Sequence, residues 1–277
     1  MVHPLIRVGS IEVVPRCDGW AALPLAAELP GHAVDWAAER AAHPWSFADG
    51  DAGSWAWHVH AFLLRRSGGA ILVDSGIGHH GSPPYDVTGR IDDELRSVGV
   101  APGDVRHVIH THLHSDHAGG ACRPDGEPRF PNAIHHVHPA DWDFFAHDDG
   151  SGESEARSAM RGLQELGMLD LDPADREIAS GVRVVHSPGH TPGHRSVILT
   201  EGDASLLLTG DLLHLPVQAA HPEWRSGHDE DPALGVTSRT ALLARARDAD
   251  WQVAVSHFGH PFGRVVTLGD GQRWDPA

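Results

Sequence analysis

Apolar residues gather along the chain in short runs that end in small or polar residues, the pattern of buried strands punctuated by turns. "IEVVPRCDG" predicts an opening strand, and "WHVHAFLLRR" and "GAILVDSGIG" predict two more joined by the turn "SGG". Further strands are predicted at "VRHVIHTHLH", "NAIHHV", "GVRVVHSPGH", "RSVILTEGD", "ASLLLTGD" and "WQVAVSHFG", with "GRVVTL" after the last. Helical spacing appears in "RIDDELRSVGV" (Ile91, Leu95, Val98, with Gly99 near its end), after Pro139, and over residues 152–168. "VTSRTALLARARDAD" predicts a helix with apolar Ala241, Leu242 and Ala244 and with Thr237 or Ser238 as its N-cap. Residues 20–54, with Trp20, Trp36, Trp45 and Phe47, predict an irregular excursion holding one short helix. Strands dominate both halves, helices come between them and no linker intervenes. A single α/β domain over residues 1–277 is the expectation.

Composition narrows the class. The chain carries a formal net charge of −17 and contains no lysine, a field that repels phosphate backbones and argues against a nucleic-acid partner. No apolar run approaches a membrane span, and the start lacks the features of a secretory signal, so a cytoplasmic enzyme without a membrane partner is expected. Cys17 and Cys122 are too few for a disulfide framework. Most of the 24 histidines are expected on the surface without a special role.

"THLHSDHAGG" changes the picture, because His112, His114, Asp116 and His117 fall within six positions. Two residues apart on extended chain, His112 and His114 point the same way and can grip one ion. Asp116 and His117 can serve a neighbouring ion only if the chain turns there, so the motif demands a strand–loop–helix corner. Further donors stand at the ends of apolar strands: His190 in "HSPGHTPGH", Asp211 in "LLLTGD" and His257 in "VAVSHFGH". A carboxylate or imidazole at the end of a buried strand is costly without a partner, and metal chemistry supplies one.

Together "VDSGIG", "THLHSDHAGG", "SPGHTPGH", "TGDLLH" and "SHFGHPFGRV" resemble the metallo-β-lactamase-fold hydrolase superfamily, nearest its methyl-parathion-hydrolase and lactonase-like branch. The resemblance implies a four-layer αββα sandwich and a two-metal site. By motif, His112, His114 and His190 would take one metal, Asp116, His117 and His257 the second, and Asp211 would bridge them. Two Zn2+ are expected, with Mn2+, Co2+ or Fe2+ as other divalent options. A metal-bridging hydroxide would then cleave a small lactone or ester, with phosphotriesters as side substrates. Asp116 would relay the proton. Where acyl-homoserine lactonases carry a tyrosine three residues past the bridging aspartate, this chain has His214, and its single tyrosine is Tyr85. His214 is therefore a second catalytic candidate, able to stabilise the developing oxyanion or alkoxide.

Two other functions remain open on sequence: a single-iron persulfide-dioxygenase-like oxidoreductase and an inert metal-binding scaffold. His260 competes with His257 for the last ligand place, and His257 is preferred because it ends the strand. His194 and Asp74 are expected to support the site rather than bind metal. His58 and His60 are expected to be structural, and His107, His110, His135, His136 and His138 to have no catalytic part. Trp36, Trp45, Phe47 and residues 220–232 are candidate pocket linings, and a homodimer is left open.

Overall fold

The apolar runs become strands of two mixed sheets in the computed structural model, which describes residues 5–78, 87–146 and 154–277. Tyr85 lies outside the described residues. The first sheet holds seven strands in chain order. They are β1 (Ile6–Val8), β2 (Ile11–Pro24), β3 (Ser54–Arg65), β4 (Ala70–Val73), β5 (Val105–Ile109), β6 (Ile134–Val137) and β7 (Leu169–Leu171). Among them come helices α1 (Trp36–Ala42), α2 (Ile91–Ser97), α3 (Ser115–Ala118), α4 (Pro139–Ala146) and α5 (Ser154–Glu165).

The second sheet also has seven strands in chain order. These are β8 (Glu177–Ala179), β9 (Val182–His186), β10 (Arg195–Glu201), β11 (Ala204–Leu208), β12 (Gln252–Ala254), β13 (Phe262–Leu268) and β14 (Gly271–Pro276). Helices α6 (Val217–Ala220) and α7 (Pro232–Asp248) fall between β11 and β12. The chain divides into two compact units, Met1–Trp20 with Val59–Ala174 and Ala21–His58 with Asp175–Ala277.

In the first unit β4, β5, β6 and β7 run parallel. All four residues of β4 are buried, which is why its sequence, Ala-Ile-Leu-Val, is an unbroken apolar run rather than an alternation. Its cores gather Leu63, Leu72, Ile91, Leu95, Val108 and Phe130 in one cluster and Leu113, Val137, Met160 and Leu163 in another. In the second unit β11 and β12 are the parallel pair, packed over a core that includes Ile198, Leu207, Leu243, Val253, Phe258 and Trp274. The chain thus leaves its parallel strands directly into the predicted ligand motifs, after β5, β11 and β12. That is where α/β sheets place functional loops.

One expectation for the last helix is corrected. α7 begins at Pro232, not near Thr237 or Ser238, because Asp231 caps it by accepting from Ala233 N–H at 3.1 Å and Leu234 N–H at 3.0 Å. Pro232 takes the first helical position, where no N–H is needed. The buried residues of the helix are Gly235, Arg239, Leu243 and Ala246, and Leu242 packs partly buried against the same core. The Arg239 guanidinium is satisfied there by the carbonyls of Leu212, Pro222 and Trp224. Strands β1, β7, β8 and β14 carry too little apolar pattern to have been anticipated.

The glycines after the histidine motif serve close contact. Residues 74–78 run directly against 119–120, with Gly120 N–H donating to Gly76 O at 3.0 Å. A Cβ on Gly120 would meet Ser75 O at 2.0 Å, and one on Gly119 would meet Ile77 O at 2.2 Å. The same loop is tied from its other side by Asp18, whose carboxylate accepts from Ile77 N–H at 2.7 Å and from Arg90 N–H. Burial pushes the Asp18 carboxyl up to about 6, and these hydrogen bonds oppose it.

Two outcomes follow for stability. Gly120→Ala forces backbone against backbone and should lower unfolding free energy by about 3 kcal/mol, read by denaturant melts. Asp231→Ala removes only the helix cap and should cost about 1 kcal/mol in the same measurement.

Candidate metal centre

In the first unit β5 delivers the chain to His110, and the chain reaches His114 in extended backbone, at φ −61° and ψ 151°. Leu113 N–H donates to Asp141 Oδ2 at 3.2 Å, which fixes this stretch and holds both neighbouring imidazoles on one side. His112 Nε2 and His114 Nδ1 are 2.9 Å apart. The chain then turns through α3, the corner the sequence demands, and brings the His117 ring to 4.1 Å from that of His112.

Asp74 sets the orientation of His117. Its backbone has φ +62°, a conformation Asp tolerates better than most residues, and it follows β4 directly. One carboxylate oxygen accepts from Thr111 N–H at 2.7 Å and the other sits 2.8 Å from His117 Nδ1. A carboxylate only accepts, so His117 Nδ1 carries a proton, and in the neutral imidazole Nε2 presents a lone pair. That lone pair faces Asp116 Oδ2 at 3.3 Å.

The second unit repeats the pattern around Asp211, which follows β11 in a tight turn. Asp211 N–H donates to His194 Nε2 at 2.9 Å, and His194 Nδ1 lies 2.9 Å from Ser187 O. Both ring nitrogens of His194 are thereby engaged in holding Asp211, the supporting role expected for it. Asp211 Oδ2 then meets His257 Nε2 at 3.0 Å, His214 Nε2 at 3.3 Å and His190 Nε2 at 3.4 Å. His257 Nδ1 donates to the His58 carbonyl at 2.6 Å, so in its neutral form Nε2 also turns a lone pair towards a carboxylate oxygen.

Two acceptors at such separations repel unless a second ring proton or a metal ion lies between them. The same arrangement occurs independently in each unit, at His117 with Asp116 and at His257 with Asp211. Buried imidazole nitrogens with carboxylate oxygens are the donor set of zinc and similar divalent ions, so these residues fit a metal.

His260 is exposed and stacks on Trp45, with ring centroids 5.2 Å apart, whereas His257 faces Asp211. His214 is fixed by Gln218, whose Oε1 accepts from the N–H groups of His214 and Leu215 at 2.7 and 2.9 Å. Its ring stacks on His257 at 5.4 Å with planes 10° apart. Phe47 is buried and bridges to Trp55, and Trp45 packs against Phe258.

The expectation that most histidines are superficial is overturned: twelve of the described ones are buried. They sit in pairs and networks, as with His110 Nε2 and His135 Nδ1 at 3.0 Å, and burial pulls His110 down to about 4. His107 Nδ1 meets His136 Nε2 at 3.0 Å, and His136 Nδ1 meets Asp170 at 2.9 Å.

Three further residues surround the second cluster: Asp229 and His228, within the 220–232 segment expected only to line a pocket, and Glu28, which went unnoticed in the sequence. Asp229 Oδ1 is 3.7 Å from His190 Nδ1, and Glu28 contacts His228 at 3.0 Å. The run "HDEDP" marks the first of these only in hindsight, and Glu28 stands in an unpatterned stretch.

Comparison with known proteins places this geometry. Residues 55–257 match the model of the metallo-beta-lactamase superfamily. An N-acyl homoserine lactonase of a Bacillus species is 30% identical over 198 residues, 65% of this chain and 74% of the relative. A second such lactonase, from Bacillus thuringiensis, is 29% identical over 219 residues, 73% of this chain and 80% of the relative. Among solved structures, the dizinc quorum-quenching lactonase AidC with a bound product superposes with a TM-score of 0.85 at 21% identity, covering 99% of this chain and 97% of its own. The hydrolase AbOPH gives the same TM-score of 0.85 and the same coverage, 99% and 97%, at 22% identity. Two mixed sheets with their helices conform to the α/β fold expected from the motifs, and the chain belongs to the metallo-β-lactamase superfamily.

Proposed function

We propose that this chain is a divalent-metal-dependent hydrolase that opens a small lactone, with related esters and phosphotriesters as side substrates, and that residues 1–277 act as one hydrolase domain. The observation that carries the reading is the placement of buried His257 Nε2 3.0 Å from Asp211 Oδ2, repeated by His117 Nε2 and Asp116 Oδ2 at 3.3 Å. Relatives that are N-acyl homoserine lactonases support the lactone class.

Zinc, two ions per chain, suits this donor set. His112, His114 and His190 would hold one ion and Asp116, His117 and His257 the other, with Asp211 shared. When bound, the ions supply a water that ionises near neutral pH and a positive centre for the carbonyl oxygen. Asp74 keeps the proton on His117 Nδ1, and the His58 carbonyl does the same at His257. His194 pins the Asp211 backbone, so the shared carboxylate cannot swing away. Asp116 accepts the proton given up by the attacking water.

His214 Nδ1 is buried and has no hydrogen-bond partner among the described residues, the environment of an unprotonated nitrogen. The ring N–H is then on Nε2, 3.3 Å from Asp211 Oδ2, and it donates to the oxyanion that develops beside that carboxylate.

Asp116→Ala and Asp211→Ala should each abolish lactone opening and lower the zinc content of purified protein, measured by plasma mass spectrometry. Inertness of the zinc-loaded wild type across a lactone, ester and phosphotriester panel would sink the proposal, and a single iron per chain would replace it with a redox function. His214→Phe should keep its metal while kcat falls about 100-fold, read by steady-state kinetics.

A further inference from the structure

His190 enters the second cluster from the loop between β9 and β10, and backbone contacts bind that loop to the start of α7. Asp231 N–H donates to Gly189 O at 2.9 Å and Glu230 N–H to His190 O at 3.2 Å. Ser238 Oγ donates to Pro188 O at 2.6 Å. Gly189 lies so close to the helix that a Cβ on it would meet Gly235 N at 2.1 Å. What this docking delivers to the imidazole is the side chain of Asp229.

Asp229 Oδ1 stands 3.7 Å from His190 Nδ1, and Oδ2 lies 3.6 Å from Arg239 Nη1. The side chains of Asp229 and Arg239 are each only 1% exposed. A guanidinium keeps its charge, and the carbonyls of Leu212, Pro222 and Trp224 that it also meets carry none. In the interior it needs an anion, and Asp229 is the carboxylate beside it. Burial pushes the Asp229 carboxyl up, and Arg239 foremost pulls it back. A Cβ on Gly235 would meet Asp229 Oδ2 at 2.4 Å, so the bare backbone of α7 is what leaves the carboxylate room.

On the other side of the ring, His190 Nε2 is 3.4 Å from Oδ2 of Asp211, whose backbone His194 pins. The imidazole therefore stands between two carboxylates with separate duties. At 3.7 Å the contact with Asp229 is electrostatic rather than a hydrogen bond, and it favours an N–H over a lone pair facing the anion. With the proton of the neutral ring on Nδ1, Nε2 is left to a metal. Asp74 does the same for His117, and the His58 carbonyl for His257.

We infer that Asp229, anchored by Arg239, is a positioning residue for metal binding: it holds the ring proton of His190 on Nδ1 and so presents Nε2 to the ion. The inference rests on the metal-hydrolase reading and deepens it, because it makes the hold on one ion depend on α7.

The test titrates zinc against a chromophoric chelator in wild type, Asp229→Asn and Asp229→Ala, with melting of the metal-free proteins to confirm that each folds. Asp229→Ala should weaken one zinc-binding step by about 10–100-fold and change the other by less than about threefold. Asp229→Asn keeps an acceptor oxygen and should lose less. Long-range nitrogen–proton NMR of metal-free protein reads the His190 tautomer, which a packing role alone would not move. Nδ1–H should prevail in wild type, and the balance should shift to Nε2–H in Asp229→Ala. Wild-type zinc affinity in a folded Asp229→Ala, equal weakening of both steps, or prevailing Nε2–H in wild type each overturns the inference. If wild type binds no zinc, the hydrolase reading fails and the tautomer still decides the role of Asp229. If neither variant folds, the wild-type tautomer decides it alone.

Discussion

A neutral imidazole has one N–H, and once that proton is given to an acceptor the opposite nitrogen has only a lone pair to offer. The candidate centre depends on this constraint. At His117 the proton is claimed by Asp74, and at His257 by the carbonyl of His58. In both cases the remaining lone pair is turned on a carboxylate, an arrangement that a protein stabilises only if positive charge is delivered to the gap. Binding of the ion and burial of its donors therefore compensate one another, and neither half is stable in the same way alone.

The architecture serves that constraint through backbone as much as side chain. Asp74 adopts a left-handed conformation at the end of β4, and its loop is clamped between Asp18 and the bare backbone of Gly119 and Gly120. His194 spends both ring nitrogens on Ser187 and Asp211. These are contacts of second rank in chemistry and first rank in geometry, because they decide which tautomer each ligand presents.

Much of this was legible in the chain. His112, His114, Asp116, His117, His190, Asp211 and His257 stand out because polar donors at the ends of apolar strands are costly without a purpose, and the order of motifs was specific enough to indicate the family. The role of glycines 119 and 120 was not legible, since only the contact with residues 75–77 shows that the missing Cβ is what matters. The start of α7 was missed because apolar periodicity was weighed above the Asp-Pro pair that caps it. Glu28 and His228 could not be paired by any local rule, since 200 positions separate them. Histidine burial was misjudged for a similar reason. A histidine that satisfies another histidine across neighbouring strands leaves no mark in either strand's own sequence.

Arg239 grips the segment between β11 and α7 by the carbonyl oxygens of Leu212, Pro222 and Trp224 and by the buried carboxylate of Asp229, 3.6 Å away. Three of these four contacts read only backbone, so the side chains at 212, 222 and 224 can be exchanged without loosening them. A lineage built on this scaffold is free to explore new ligand preferences there by point substitution while the shape of the loop, and the stability invested in it, stays in place.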